Sequence, residues 1–281
     1  MVKREDIKVA ILRIEGTNNE QEMWDCYHEL GAAPELVHLN QLVKRDLPAD
    51  QKRKLDDYHM IMLPGGFSSG DYIRAGAIYA ARMKAAIGDQ IEAFVAAEKP
   101  IGGMCNGFQV LVELGLLPGD GAKLPLFPAA VLNRNDSARF ECRPTLLKHV
   151  NRGNCVFTRD IPLNEVRTIP SAHAEGKLMF PADVVEATLQ RLRDNDQLVF
   201  TYTTPDGGDA VYPWSPSGST AAISGICNDM GTVFGMMPHP ERVFHRYQHP
   251  DWTRDSKHKP DDAGDGRAVF ESALKYVEKK F

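Results

Sequence analysis

Residues 100–109 read PIGGMCNGFQ, a short apolar approach, two glycines, a cysteine, then Asn-Gly before a second apolar run, VLVELGLL (110–117). Glycine is used where backbone turns tightly or approaches another chain segment closely. Free cysteine is commonly a small buried hydrophobe, but a thiol that only fills a core needs no such flanks. Placed between a strand and a helix, Cys105 sits just ahead of unpaired helical N–H groups, whose partial positive charge favours the reactive thiolate. The arrangement matches a strand–nucleophile–helix elbow, in which the N–H of the following residue helps bind an oxyanion.

Working outward from the elbow, the first 120 residues alternate two periodicities. IKVAILRI (7–14), LVHL (36–39), YHMIMLP (58–64) and KPIGGM (99–104) are short apolar runs bounded by turn residues. Between them lie longer mixed segments, 20–32 and 78–97, and in the second Ile87, Ile91, Phe94 and Val95 share one helical face. Strand alternating with helix predicts an α/β fold, a mostly parallel open sheet flanked by helices. Further on, FECRPTLLKHV (140–150), NCVF (154–157), QLVFTY (197–202), AAISGI (221–226) and VFGMMP (233–238) read as strands, and 184–192 as a helix. Val269, Phe270, Ala273, Leu274 and Val277 mark a C-terminal helix over about 266–280, and the polar, aperiodic stretch 245–266 reads as an exposed connection. The whole, 1–281, is expected to be a single domain.

Composition excludes several classes. The chain has 281 residues, 43% apolar and 25% charged, and a net charge of −5, which gives no reason to expect a nucleic-acid partner. Its opening, MVKREDIKVAILRIEG, is too short in apolar run and too charged for a signal peptide or membrane span. The five cysteines (26, 105, 142, 155, 227) show no CxxC pair and no metal-ligand spacing. No metal site is expected, and a reducing, cytoplasmic setting is.

Two further stretches carry chemistry. In MMPHPERV (236–243), His239 and Glu241 project to one side of extended backbone, so the carboxylate can fix the imidazole tautomer and stabilise the imidazolium. Their place after an apolar run puts them at the C-terminal end of a strand, where ligand sites of open parallel sheets lie. In LPGGFSSGDYIRAGA (63–77), adjacent glycines can turn N–H groups toward an anion or oxyanion; the stretch matches neither a Walker loop nor GxGxxG. Thiol, imidazole, carboxylate and donor loop together describe a nucleophilic acyl-transfer site.

At these residues the chain resembles the class I glutamine amidotransferases, of flavodoxin-like architecture, and within them the glutaminase subunits of phosphoribosylformylglycinamidine synthases of purine biosynthesis. The resemblance is carried by GTNNEQE (16–22), PGGFSSGDYIRAGA (64–77), GMCNGFQ (103–109), NRNDSARFECR (133–143), SAHAEG (171–176), SGICN (224–228) and GMMPHPER (235–242), in that order. It implies Cys105 as nucleophile, His239 as general base and acid, Glu241 as its orienting partner, Gly66 and the Asn106 N–H as oxyanion hole, and Gln109 beside bound glutamine. It also implies that ammonia passes to a synthetase partner, which carries ATP and magnesium, often through a complex with a small bridging subunit. No cofactor is implied for this chain. Ala174 stands where such proteins usually have glycine, and Ser69 where tyrosine is common. His173 reads equally as structural or as a partner contact. The alternative function is a stand-alone cysteine hydrolase on the same fold.

Overall fold

The computed structural model describes residues 1–43, 46–119, 121–254 and 256–281. The first half runs β1 (Lys8–Arg13), α1 (Glu20–Glu29), β2 (Ala33–His38), α2 (Leu39–Val43), β3 (Met60–Leu63), α3 (Ala77–Ala96), β4 (Ile101–Met104) and α4 (Asn106–Glu113). The second half adds β5 (Val131–Asn133), β6 (Glu141–His149), β7 (Val166–His173), β8 (Lys177–Met179), α5 (Val185–Asp194), β9 (Leu198–Tyr202), β10 (Ile223–Cys227), β11 (Val233–Met236) and α6 (Arg267–Lys280).

Nine strands form one sheet in the order β2-β1-β3-β4-β11-β10-β9-β6-β7, and β5 pairs with β8 in a separate ribbon. The expected parallel pairing holds from β2 through β11, the part that carries the elbow and His239. Beyond β11 each neighbouring pair is antiparallel.

Alternation along β1 explains the layering. Ala10 and Leu12 face a core shared with Tyr79 and Met83 of α3 and Phe108 and Leu111 of α4. Val9 and Ile11 face the opposite core, with Met23 and Tyr27 of α1 and Phe270 and Leu274 of α6. Both faces of the central strands are therefore covered, which is why they read as continuous apolar runs.

Two expectations are corrected. NCVF is a turn: the Val156 N–H donates to the Gly231 carbonyl, Thr158 N–H closes back on Cys155, and Asn151 Oδ1 accepts from the Gly153 and Cys155 N–H groups. Cys155, Val156 and Phe157 are buried without strand pairing. LVHL belongs to a strand that begins earlier, at Ala33, and Leu39 already opens α2.

The described residues of the 245–266 stretch are largely exposed, but the stretch is anchored. It makes short turns at Arg246–Gln248 and Trp252–Arg254. His245 Nε2 lies 2.8 Å from Glu29, and Asp265 accepts from the Thr168 N–H at 2.8 Å. Among the described residues, no helix is long and apolar enough to cross a membrane.

Candidate active site

Cys105 occupies the single residue between β4 and α4, with φ +52° and ψ −108°. Left-handed backbone at a residue with a side chain costs about 1–3 kcal/mol and persists only where the surroundings enforce it. The glycines supply that enforcement. A Cβ on Gly107 would stand 1.9 Å from the Leu63 carbonyl oxygen, and one on Gly103 would stand 2.6 Å from the Gly107 carbonyl. Only glycine at both positions lets α4 press against the ends of β3 and β4 and throw the thiol outward. The Cys105 N–H donates to the Met236 carbonyl at 2.8 Å, tying the elbow to β11.

The same strand delivers the base. Met236 ends β11, and His239 follows three residues later with its N–H bonded to the Pro170 carbonyl at 2.8 Å. His239 Nδ1 lies 2.6 Å from Glu241 Oε1, both residues being 2% exposed. The acceptor-only carboxylate fixes Nδ1 as the donor and leaves Nε2 free for chemistry. Among the described residues, Nε2 has no partner at strict hydrogen-bonding geometry, and the Cys105 thiol is close enough to act on the ring. Burial works against charge on this ring, but the Glu241 carboxylate and then Cys105 work for it, and His239 is raised to about 10. His239 is thus held as an imidazolium at neutral pH.

Cys105, 6% exposed, forms part of the wall of a pocket of about 230 Å³, together with Gly66, Gln109 and His239. That size is below the ~300–1,000 Å³ of sites for drug-sized ligands and suits a small substrate. The glycine loop makes its floor crowded: a Cβ on Gly65 would lie 2.8 Å from both His239 Cε1 and Asn19 Oδ1. Gly66 has φ +138°. Among the described residues, neither the Gly66 N–H nor the Asn106 N–H donates to a protein acceptor, so both are available as oxyanion donors. The Asn106 side chain is occupied elsewhere, accepting from the Ser68 N–H and donating to Gln109 Oε1 at 2.9 Å. Gln109 in turn donates to the Glu175 carbonyl at 2.6 Å.

All six residues singled out in the sequence meet at this site: Gly66, Cys105, Gln109 and His239 line it, Asn106 opens α4 beside it, and Glu241 backs the imidazole. Sequence reasoning missed Asp71, Glu175 and Arg242, which line the same pocket, and left His173 open. Asp71 and Glu175 stand beside glycines in loops, and Arg242 directly follows Glu241, but nothing else in the sequence set them apart. His173 is buried against Asn135, whose amide donates to the His173 and Arg139 carbonyls, so that Oδ1 faces His173 Nδ1 at 3.1 Å. Burial and then the charge of His239 lower His173 to about 3. Of the other thiols, Cys142 is exposed, and burial followed by the Glu241 charge pushes the Cys26 thiol far up.

The profile of the CobB/CobQ-like glutamine amidotransferase domain matches residues 6–277. The chain is 48% identical to the phosphoribosylformylglycinamidine synthase subunit PurQ of Archaeoglobus fulgidus, over 98% of this chain and 99% of that one. The chain belongs to the PurQ family of glutamine amidotransferases. The PurQ protein of Picrophilus torridus is 41% identical over 94% of this chain and 96% of its own. Among solved structures, that of PurLQS from Thermotoga maritima superposes with a TM-score of 0.70 at 29% identity, covering 97% of this amidotransferase and 99% of the matched chain. The glutaminase domain of Trypanosoma brucei CTPS, at 14% identity and a TM-score of 0.52, shares the fold over 96% of this chain and 94% of its own.

Proposed function

We propose that the chain is the glutaminase subunit of a phosphoribosylformylglycinamidine synthase, and that Cys105 is its nucleophile. The Cys105 thiolate attacks the side-chain carboxamide carbon of glutamine, and the resulting oxyanion is held by the Gly66 and Asn106 N–H groups. His239, charged at this stage, gives its proton to the departing nitrogen, which leaves as ammonia, and a thioester remains on Cys105. His239, now neutral, takes a proton from water as the water attacks the thioester; collapse expels the thiolate and releases glutamate. Glu241 fixes the ring and stabilises its charged form throughout. The observation that carries this reading is the buried His239–Glu241 pair set against a thiol on a strained elbow.

The ammonia passes to a synthetase subunit that converts formylglycinamide ribonucleotide to formylglycinamidine ribonucleotide and carries the ATP and magnesium. The chemistry assigned to this chain calls for no cofactor of its own, since thiol, imidazole and backbone donors supply every step. A small bridging subunit completes the complex, which works in the cytoplasm. Ser69, Gly70 and Asp71 are consecutive left-handed residues, so docking at this loop can re-aim the neighbouring Gly66 N–H and gate turnover. Loss of one oxyanion donor costs about 10²–10³ in rate, enough for such a gate.

The test is glutamine hydrolysis by the chain alone, with the synthetase, and with synthetase plus ATP and ribonucleotide. Slow turnover alone and acceleration in the full mixture are expected; a rate already maximal for the chain alone favours the stand-alone hydrolase. A glutamine-mimicking diazoketone should alkylate Cys105, and Cys105→Ala should lose both labelling and turnover. Labelling at Cys142 in its place overturns the nucleophile assignment.

A further inference from the structure

A second cavity, of about 620 Å³, opens between the segment that follows β5 and the connection from β9 to β10, and it shares no lining residue with the catalytic pocket. Its size falls within the ~300–1,000 Å³ of small-molecule sites. The acyl-transfer chemistry uses none of it. Val211 and Tyr212, 74% and 59% exposed, give it an apolar wall, to which the buried Pro216 adds. A turn holds this wall in place, the Ser215 N–H donating to the Val211 carbonyl at 3.0 Å. The Arg143 guanidinium covers one face of the Tyr212 ring, 5.2 Å from its centroid, and leaves the other for a planar ligand.

Three buried serines alternate in the loop before β10, and they differ in what they bond. The Ser217 and Ser219 hydroxyls lie 2.9 Å apart, and Ser219 Oγ also donates to the Gly176 carbonyl and accepts from the Leu178 N–H, both at 3.0 Å. Ser215 lines the cavity, is 4% exposed, and among the described residues its buried Oγ has no partner. A hydroxyl buried without a partner is a net cost, which a ligand with a polar edge recovers.

The segment after β5 lines the same cavity with two charges, Asp136 and Arg139. The Arg139 backbone is engaged, its N–H donating to Ser137 Oγ at 3.3 Å and its carbonyl accepting from the Asn135 amide at 2.9 Å. Its exposed guanidinium, among the described residues, has no hydrogen bond or ion pair. Asp136 Oδ1 accepts from Lys177 at 2.5 Å, and Oδ2 is pressed against Gly218, where a Cβ would stand 1.9 Å away. A carboxylate is thereby fixed on the same wall as a free arginine. A bare anion drawn to Arg139 is repelled by Asp136. A ligand that carries hydroxyl donors as well as an anion satisfies both.

We propose that this cavity binds a nucleoside monophosphate, with the phosphate on Arg139, the ribose hydroxyls on Asp136, the base against Tyr212, Val211 and Pro216, and a polar edge of the base on Ser215 Oγ. Each pairing has a physical ground. A guanidinium matches phosphate bidentately, a carboxylate accepts from ribose hydroxyls, and an aromatic face stacks on a planar base. The inference is independent of the reading of the chain as a glutaminase.

The experiment is isothermal titration calorimetry of the full chain with adenosine, guanosine and cytidine monophosphates, with adenosine, and with inorganic phosphate. At least one nucleotide should bind about 10-fold or more tighter than both adenosine and phosphate. Arg139→Gln should weaken that nucleotide about 10- to 100-fold and leave adenosine unchanged. Ser215→Ala should weaken it several-fold while raising the melting temperature of the free chain, because the unmet hydroxyl is gone; a serine with a merely structural role would lower it. Asp136→Asn should narrow the preference over inorganic phosphate. Photolabelling with 2-azidoadenosine monophosphate, read by peptide mass spectrometry, should mark residues 210–216. Circular dichroism checks each fold, and an Arg139→Gln chain that does not fold is replaced by Arg139→Lys, which keeps the charge without the fork and should weaken the nucleotide less. No binding of any nucleotide at millimolar concentration overturns the proposal. So does phosphate binding as tightly as the nucleotides, affinity unchanged in the Arg139 variants, or a photolabel placed on residues of the catalytic pocket.

Discussion

Two buried histidines share one pocket and end in opposite states. His239, at the end of β11, faces the Glu241 carboxylate and is raised to about 10; His173, at the end of β7, faces the Asn135 carboxamide and is lowered to about 3. Burial is the leading influence on both, and in both it opposes charge. Neighbouring charge decides the outcome: at His239 the Glu241 anion at 2.6 Å, and then Cys105, outweigh desolvation, whereas His173 faces a neutral amide oxygen at 3.1 Å and the charge of His239 adds to its desolvation. One ring is therefore a proton donor and acceptor for chemistry, and the other a fixed neutral acceptor.

The largest test of that difference is deletion. His239→Ala removes both proton transfers and should lower glutamine turnover in the assembled synthase by about 10⁴-fold, near the upper range for general acid–base groups. His173→Ala should cost far less and act mainly on KM. Steady-state kinetics of the two variants side by side would break the comparison if the losses were equal.

Glu241→Gln should fall between these, because the amide can still orient the ring but cannot stabilise its charge. The sign of its pH effect follows from the upward shift. His239 keeps its proton until pH rises through about 10, so the acid that protonates the leaving nitrogen is lost on the alkaline side. Without the carboxylate, burial dominates, and the alkaline limb of the rate profile should move to lower pH. An unmoved limb would assign it to a group other than His239.

The smallest effect is expected from Asn135→Asp, which gives His173 a carboxylate neighbour. NMR titration of the ring should show its pKa rising from the present value of about 3, while turnover drops only several-fold through the extra charge near His239. The variant also loses the two amide donations to the His173 and Arg139 carbonyls, so its melting point should fall. A ring that remains neutral would mean that desolvation, not the choice of partner, separates the two histidines.

Much of this was legible in the chain itself. The glycines around Cys105 announced a turn because their steric role is local: Gly107 is required where a Cβ would strike Leu63, and such needs leave a mark in sequence. His239 and Glu241 stand two residues apart, so extended backbone alone brings them to one side. The central strands were readable because burial on both faces makes them uniformly apolar. NCVF misled for the same reason, since Cys155, Val156 and Phe157 are buried as completely as the side chains of a strand while the backbone turns. The three-residue strands β5 and β8 escaped notice because each is too short to show a period and pairs with a partner more than forty residues away.

By itself, then, the sequence determined the elbow, the covered parallel sheet and the identity of the thiol–imidazole–carboxylate set, because each depends on near neighbours or on a repeating pattern. Only the tertiary structure decided which charge each histidine carries and which acids line the pocket. Asp71 and Glu175 are a hundred residues apart and, read along the chain, look like solvated loop carboxylates; the packing of the glycine loop against the end of β7 is what brings them to one wall. Desolvation and through-space charge are properties of that enclosure, and no periodicity in the chain encodes them.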